Sequence, residues 1–207
     1  MTGLNAVQRR KDAALAGYRG DIDTARAAQT DPDPKVRIAA LRSLARIGAT
    51  NKEQIKQGQI TRALNDTEPA VRIAAIEIAA NHPQPPLEHL LDDGDSMVVE
   101  ATAWALGARE TASETIIDRL SQVARDHHDP LARESAVAAL GAIGDDRGLP
   151  AILDATRDKV AVRRRAIISL AAFEGDEVSA AYQRARQDRD RQVRDAVEEL
   201  LGPDTED

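Results

Sequence analysis

Cysteine is absent from this chain of 207 residues. Its absence excludes disulfides, thiolate metal ligands, a cysteine nucleophile and a thioether anchor for a cofactor. Aromatic residues are nearly absent too, with one Trp, one Phe and two Tyr. So few rings argue against a sheet protein, whose strands draw on aromatic and β-branched residues. No run approaches the roughly 18 unbroken apolar residues of a membrane-spanning helix. Residues 1–15 contain no apolar core of a secretory leader, so the expected compartment is the cytoplasm. An excess of positive charge is also missing. The net charge is −7, so no global field attracts nucleic acid.

Alanine is what the chain has in quantity, 38 residues in all. It is the strongest helix former and lets helices approach closely. The length suits one domain or two small ones. Composition alone therefore predicts an all-α protein.

An internal repeat gives this prediction its form. Six similar segments begin at Val36, Val71, Val98, Ala132, Val162 and Val193, in steps of 35, 27, 34, 30 and 31 residues. The first reads VRIAALRSLARIG and the fourth ARESAVAALGAIG. Each follows a polar turn such as TDPDPK, NDTEPA or QDRDRQ. With the first residue as offset zero, offsets 0, 4, 8 and 11 fall within about 80° on a helix. These are Val36, Ala40, Leu44 and Ile47 in the first repeat, and Ala132, Ala136, Leu140 and Ile143 in the fourth. One helix cannot bury such a stripe alone, so each needs a partner helix and a stacked neighbour. The intervening segments 22–28, 53–64, 87–91, 113–124, 149–156 and 178–186 supply candidate partners. The third is short, in keeping with the 27-residue step. Segment 5–18 predicts one further helix. Pro32, Pro34, Pro69 and Pro130 fall in turns or at first helical positions, where a missing N–H costs little. Pro150, near a predicted helix start, reads the same way. Residues 82–86, HPQPP, read as a rigid connection between the second and third repeats.

Val-Arg-x-Ala-Ala and an Asp six residues before the Arg recur at this period. In these features residues 21–202 resemble the HEAT-repeat family, in the short bacterial form known as the HEAT-like repeat of phycobilisome lyases. The resemblance implies an α-α superhelix, or solenoid, of about six helical hairpins. Residues 1–20 would be a capping helix and residues 203–207 an acidic tail. It also implies a structural ladder of Asp–Arg contacts between adjacent repeats, made from Asp31, Arg37, Asp66, Arg72, Arg133, Arg163, Asp188 and Arg194. A guanidinium can bind a carboxylate and free turn carbonyls together. The alternative role for these arginines is an anion-binding stripe. Repeat three departs from the pattern, with Val99 in place of arginine. Arg133 and Arg163 lack an Asp at the same spacing, although Asp129 and Asp158 lie nearby.

Signals of chemistry are few. Histidines occur at 82, 89, 127 and 128, and only His127-His128-Asp129 forms a local cluster. Neighbouring histidines are expected to point apart, against joint metal ligation. A HEAT-like di-iron hydroxylase shares the period but carries His-Glu dipeptides, which this sequence lacks. A lyase groove for a tetrapyrrole would need more aromatics than Tyr18, Trp104, Phe173 and Tyr182. A HEAT-like DNA glycosylase would need a basic groove. No glycine-rich phosphate loop is present, and no catalytic, cofactor-binding or metal-binding residue is expected.

In HEAT-like stacks the second helices line a concave wall. Offsets 2, 6 and 9 oppose the core stripe and should face it. Offset 9 is uniformly small, which leaves space for a ligand or a close neighbour. Offsets 2 and 6 offer Ile38, Arg42, Ile73, Glu77, Glu100, Trp104, Glu134, Arg164 and Ile168 as partner-binding residues. Apolar side chains beside acids are a common sign of protein recognition, although Trp104 could instead tilt into the core. The functional expectation is a non-enzymatic scaffold or adaptor, monomeric on its own, that binds a basic or amphipathic protein segment. No cofactor, membrane or nucleic acid is involved in this reading. Two alternatives stay open. One is a HEAT-like lyase or oxidoreductase relative without its metal ligands. The other is nucleic-acid binding through residues 157–194, where ten basic residues face six acidic ones.

Overall fold

The computed structural model describes residues 5–51, 57–80, 85–109 and 112–202. All regular structure among them is helical, as the composition predicts. Parts of three sequence features lie outside the described residues: the start of the predicted helix 53–64, the connection 82–86 and the acidic tail 203–207.

The chain divides into two compact units, residues 1–86 and 87–207. The first holds α1 (Ala6–Arg19), α2 (Ile22–Ala27), α3 (Pro34–Asn51), α4 (Gln57–Leu64) and α5 (Pro69–Ala79). The second opens on a 3-10 turn, Glu88–Asp92. It continues through α6 (Ser96–Gly107), α7 (Glu114–Asp126), α8 (Pro130–Ile143), α9 (Leu149–Ala155), α10 (Val160–Ser169), α11 (Asp176–Arg186) and α12 (Arg191–Leu201). The second helices of the hairpins stack on one another: α1, α3 and α5 in the first unit, and α6, α8, α10 and α12 in the second.

Helix boundaries follow local chemistry. Asp95, Asp129 and Asp190 accept hydrogen bonds from the backbone N–H two residues on, which satisfies an orphan donor of α6, α8 and α12. Pro34, Pro69 and Pro130 begin their helices, where a proline forfeits no helical bond. Gly144 ends α8 at φ 67° and donates to the Leu140 carbonyl, a left-handed stop that suits glycine.

The predicted stripe is the core. Val36, Ala40, Leu44 and Ile47 are all buried. In α8 the stripe is shorter, because Ile143 is the last helical residue and stays half exposed. The first helices bring the larger side chains. In α7, Ile116, Ile117, Leu120, Val123 and Ala124 share one buried face, which packs on α8 and α9. Full burial of a side chain like Leu120 contributes about 1.5–3 kcal/mol. In repeat three the outer element is only the 3-10 turn, whose Leu90 and Leu91 are buried and which packs on α6. A five-residue segment is too short to sustain an α-helix, which explains the 27-residue step.

Candidate functional site

Each ladder arginine sits at the second position of its repeat segment. Arg37 Nη1 donates to the carbonyls of Asp31 and Pro32 at 2.8 and 3.2 Å, in the turn before its own helix. Its Nε and Nη2 donate to both oxygens of Asp66, in the next repeat, at 2.8 and 2.7 Å. Arg133 holds Asp158 likewise at 2.6 and 2.7 Å, and Arg163 holds Asp188 at 2.9 Å through both nitrogens. Arg72 and Arg194 donate to the carbonyls of Asp66 and Asp188. The six-residue spacing thus records a relay. The turn aspartate gives its carbonyl to its own repeat's arginine and its carboxylate to the preceding one. Two members escape the sequence reading. Arg9 on α1 binds Asp31 at 2.7 and 3.0 Å, and Asp158 serves although its spacing to Arg163 is one residue short.

These carboxylates sit below the usual carboxylate range. For Asp31, Asp158 and Asp188 the main cause is the arginine hydrogen bonds, which outweigh burial. For Asp66 burial is the largest influence and pushes upward, but the Arg37 and Glu68 N–H bonds and the nearby guanidinium charges together prevail.

The ladder is broken once within the second unit, and both halves of the contact change together. Buried Val99 occupies the arginine position on α6. In the turn that should carry the matching aspartate stands His127. Its Nδ1 accepts from the Asp129 N–H at 3.1 Å, as Asp188 Oδ1 accepts from the Asp190 N–H at 2.8 Å. His127 keeps the turn and gives up the clamp. Its ring stacks on His128 with centroids 4.5 Å apart, so the two rings do not diverge. The residue is extended, which places both side chains before the helix begins. No group of three metal-ligating His, Asp or Glu side chains occurs among the described residues.

At Gly107 and Gly141 the small residue of offset 9 serves helix contact rather than ligand space. A β-carbon on Gly107 would lie 2.7 Å from Ala139 Cα, and one on Gly141 would lie 2.6 Å from Ser169 Cβ. A β-carbon on Gly17 would meet Ser43 Cα at 2.8 Å. Ser169 Oγ donates to the Val137 carbonyl and Ser43 Oγ to the Ala13 carbonyl, the same register in both units. Arg9 and Gly17 therefore mark α1 as a second helix in its own right, with Gln8 at offset zero.

Offsets 2 and 6 do reach open surface, in two grooves. In the second unit a cavity of about 510 Å³ runs between α6 and α8, lined by Glu100, Trp104, Leu131, Glu134, Ala138 and Arg165 among others. Trp104 is 57% exposed and Leu131 56%, so the indole lies on the groove side and not in the core. Glu134 pairs with Arg165 at 3.5 Å. Glu100 has no ion-pair partner among the described residues. In the first unit a cavity of about 650 Å³ lies over α1, α3 and α5, with Ile38 and Ile73 in its lining. Its cations are Arg10, Lys35, Arg42 and Arg46. Arg42 faces Glu77 at 3.7 Å with both side chains more than half exposed. The sequence reading placed Ile38 and Ile73 beside the acidic residues of Trp104's groove. In the first unit the isoleucines line a groove whose own charged residues are basic, between neighbouring helices.

A model of HEAT repeats matches residues 84–171 and 117–202, together more than half of the chain. The chain belongs to the HEAT-repeat family. Among solved structures it is similar to a designed armadillo repeat protein, with 17% identity over 87% of this chain and 98% of that one, at a TM-score of 0.58. That likeness is one of fold. Human deoxyhypusine hydroxylase in complex with glycerol aligns at 18% identity over 97% of this chain and 80% of that one, with a TM-score of 0.49. No curated protein matches the chain.

Within these HEAT repeats part of the arginine-rich stretch is engaged in contacts of its own. Arg163 is buried in the ladder, Arg165 reaches Glu134, and Arg191 pairs with Asp195 at 3.3 Å. Arg157 and Arg184 flank a cavity that they share with Asp154 and Glu177. Arg164 and Ile168 are half-buried on α10. No helix among the described residues is long and apolar enough to cross a membrane.

Proposed function

We propose that this HEAT-repeat protein is a non-enzymatic scaffold that binds another protein, through a basic or amphipathic segment, in the groove between α6 and α8. The observation that carries this reading is the exposure of Trp104 beside Leu131, with Glu100 and Glu134 along the same groove. Two large apolar side chains so exposed lose hydration cost when a partner covers them, and Trp is enriched among interface hot spots. The carboxylates supply orientation and faster encounter more than affinity.

A fluorescence titration tests the proposal. The probe is a helical peptide with leucines at i, i+4 and i+7 and lysines elsewhere. Binding should blue-shift Trp104 emission as water leaves the indole. By titration calorimetry, which needs no tryptophan, Trp104→Ala should cost about 2 kcal/mol or more, roughly a thirtyfold weaker Kd. Glu100→Arg should weaken the lysine peptide and leave stability unchanged. Equal binding of a glutamate version of the peptide in this groove would defeat the proposal.

A further inference from the structure

We infer that the groove of the first unit is a second docking site of opposite sign, built for an acidic amphipathic segment of a partner protein. It occupies the same register between second helices as the groove between α6 and α8, but its lining is different. Arg10, Lys35, Arg42 and Arg46 surround it, Arg42 facing Glu77 at 3.7 Å from outside the lining, and no acidic side chain lines it among the described residues. Arg10 and Lys35 are exposed and make no ion pair among the described residues. The guanidinium of Arg46 lies 4.2 Å over the ring of Tyr18, itself 72% exposed. That contact holds two long side chains at the rim and lowers the cost of ordering them on binding. The floor is apolar, formed by Ile38, Ile73, Ala39 and Ala70.

Charge complementarity decides the occupant. Four cations around the groove sit on a chain whose net charge is −7. Such a local reversal of sign raises the concentration of an anionic segment at this surface. A polynucleotide would use the cations, but it gains little from an isoleucine and alanine floor. An acidic helix with apolar residues at i, i+4 and i+7 uses both. Its leucines would cover Ile38 and Ile73, and its carboxylates would meet Lys35, Arg10 and Arg46.

Fluorescence anisotropy on the full chain tests this. The probe is a fluorescein-labelled peptide of about 15 residues with leucines at helical spacing and glutamates elsewhere. Comparison probes are the same peptide with glutamine for glutamate, the same peptide with serine for leucine, and a mixed-sequence single-stranded DNA of similar length. The glutamate–leucine peptide should bind at least about tenfold more tightly than either altered peptide or the DNA, and more weakly as salt rises. Lys35→Glu should weaken it by about tenfold. Folding is not at stake in that variant, because an acid in the first turn of α3 suits the helix dipole. Arg46→Glu should weaken binding as well, whereas Trp104→Ala should leave it unchanged. DNA binding tighter than the peptide, equal binding of the glutamine version, no peptide binding, or indifference to Lys35→Glu would each overturn the inference.

Discussion

Arg163 holds Asp188 with two parallel hydrogen bonds of 2.9 Å, one from Nε to Oδ2 and one from Nη2 to Oδ1. A third, from Nη1, reaches the Asp158 carbonyl at 2.8 Å. The Arg163 side chain is 7% exposed, so this pair is screened far less than a surface salt bridge. Arg163→Ala should therefore destabilise the protein by about 3 kcal/mol, as expected when one partner of a buried pair is removed. Arg163→Lys should recover only part of the loss, since an ammonium cannot reproduce the fork. Urea unfolding checks both. A loss below about 0.5 kcal/mol would show that the ladder is decoration.

The ladder also fixes the direction of the pH response. Asp31, Asp66, Asp158 and Asp188 are held below the usual carboxylate range. As pH falls, the unfolded chain takes up protons first, from about pH 5 downward through its ordinary pKa near 3.9. The ladder's contribution should thus be constant from about pH 5 to 8 and be lost progressively below, as pH falls through the folded values. Asp188→Asn should flatten that slope. A protein that grows more stable on acidification below about pH 5 would contradict this.

Gly141 and Gly58 make a paired test with opposite signs. A β-carbon on Gly141 would sit 2.6 Å from Ser169 Cβ and 2.9 Å from its Cα, whereas one on Gly58 of α4 would meet nothing within 4 Å. Alanine gains up to about 1 kcal/mol over glycine in a helix. At Gly141 the overlap, worth about 1–3 kcal/mol, outweighs that gain. Gly141→Ala should lower the melting temperature and Gly58→Ala should raise it slightly. A stabilised Gly141→Ala protein would mean that α8 and α10 can separate without cost.

Much of this was legible in the sequence, and the gaps have physical causes. The core stripe could be read because four offsets of one helix must share a face. The same geometry put Trp104 at a groove-facing offset and left a tilt into the core open. The helix over 5–18 was legible, and α1 spans Ala6–Arg19; its place as a second helix of the stack escaped because Gln8 and Asp12 stand where Val and Ala mark the other repeats. Only Arg9 and Gly17, spaced like Arg133 and Gly141, betray its register. The sign of the first groove escaped for a different reason. A groove between neighbouring helices is also lined by offsets −1 and 10, such as Lys35, Arg46 and Leu131, and not only by the offsets opposite the core.

The gap in the ladder suggests a repair. Val99→Arg alone would bury a charge without its carboxylate and should cost about 3 kcal/mol. His127→Asp alone should cost little, since an aspartate makes the same turn elsewhere. Together they should recreate the clamp, with a favourable coupling of at least about 1 kcal/mol in a double-mutant cycle. Additive effects would show that α6 and α8 lie at a spacing the clamp cannot span.

Trp104 supplies the last prediction, and as the single tryptophan its fluorescence reports one place. Trp104 is 57% exposed on the groove side of α6, about two helical turns along from Val98 and Val99, which are fully covered. In the free protein its emission should resemble solvated indole, and acrylamide should quench it readily. Leu131→Ser should change the emission only slightly while weakening the lysine–leucine peptide, because the two side chains act together only once a partner covers both. Blue, poorly quenched emission from the free protein would mean that the groove between α6 and α8 closes over the indole in solution, and the proposed docking surface would lose its anchor.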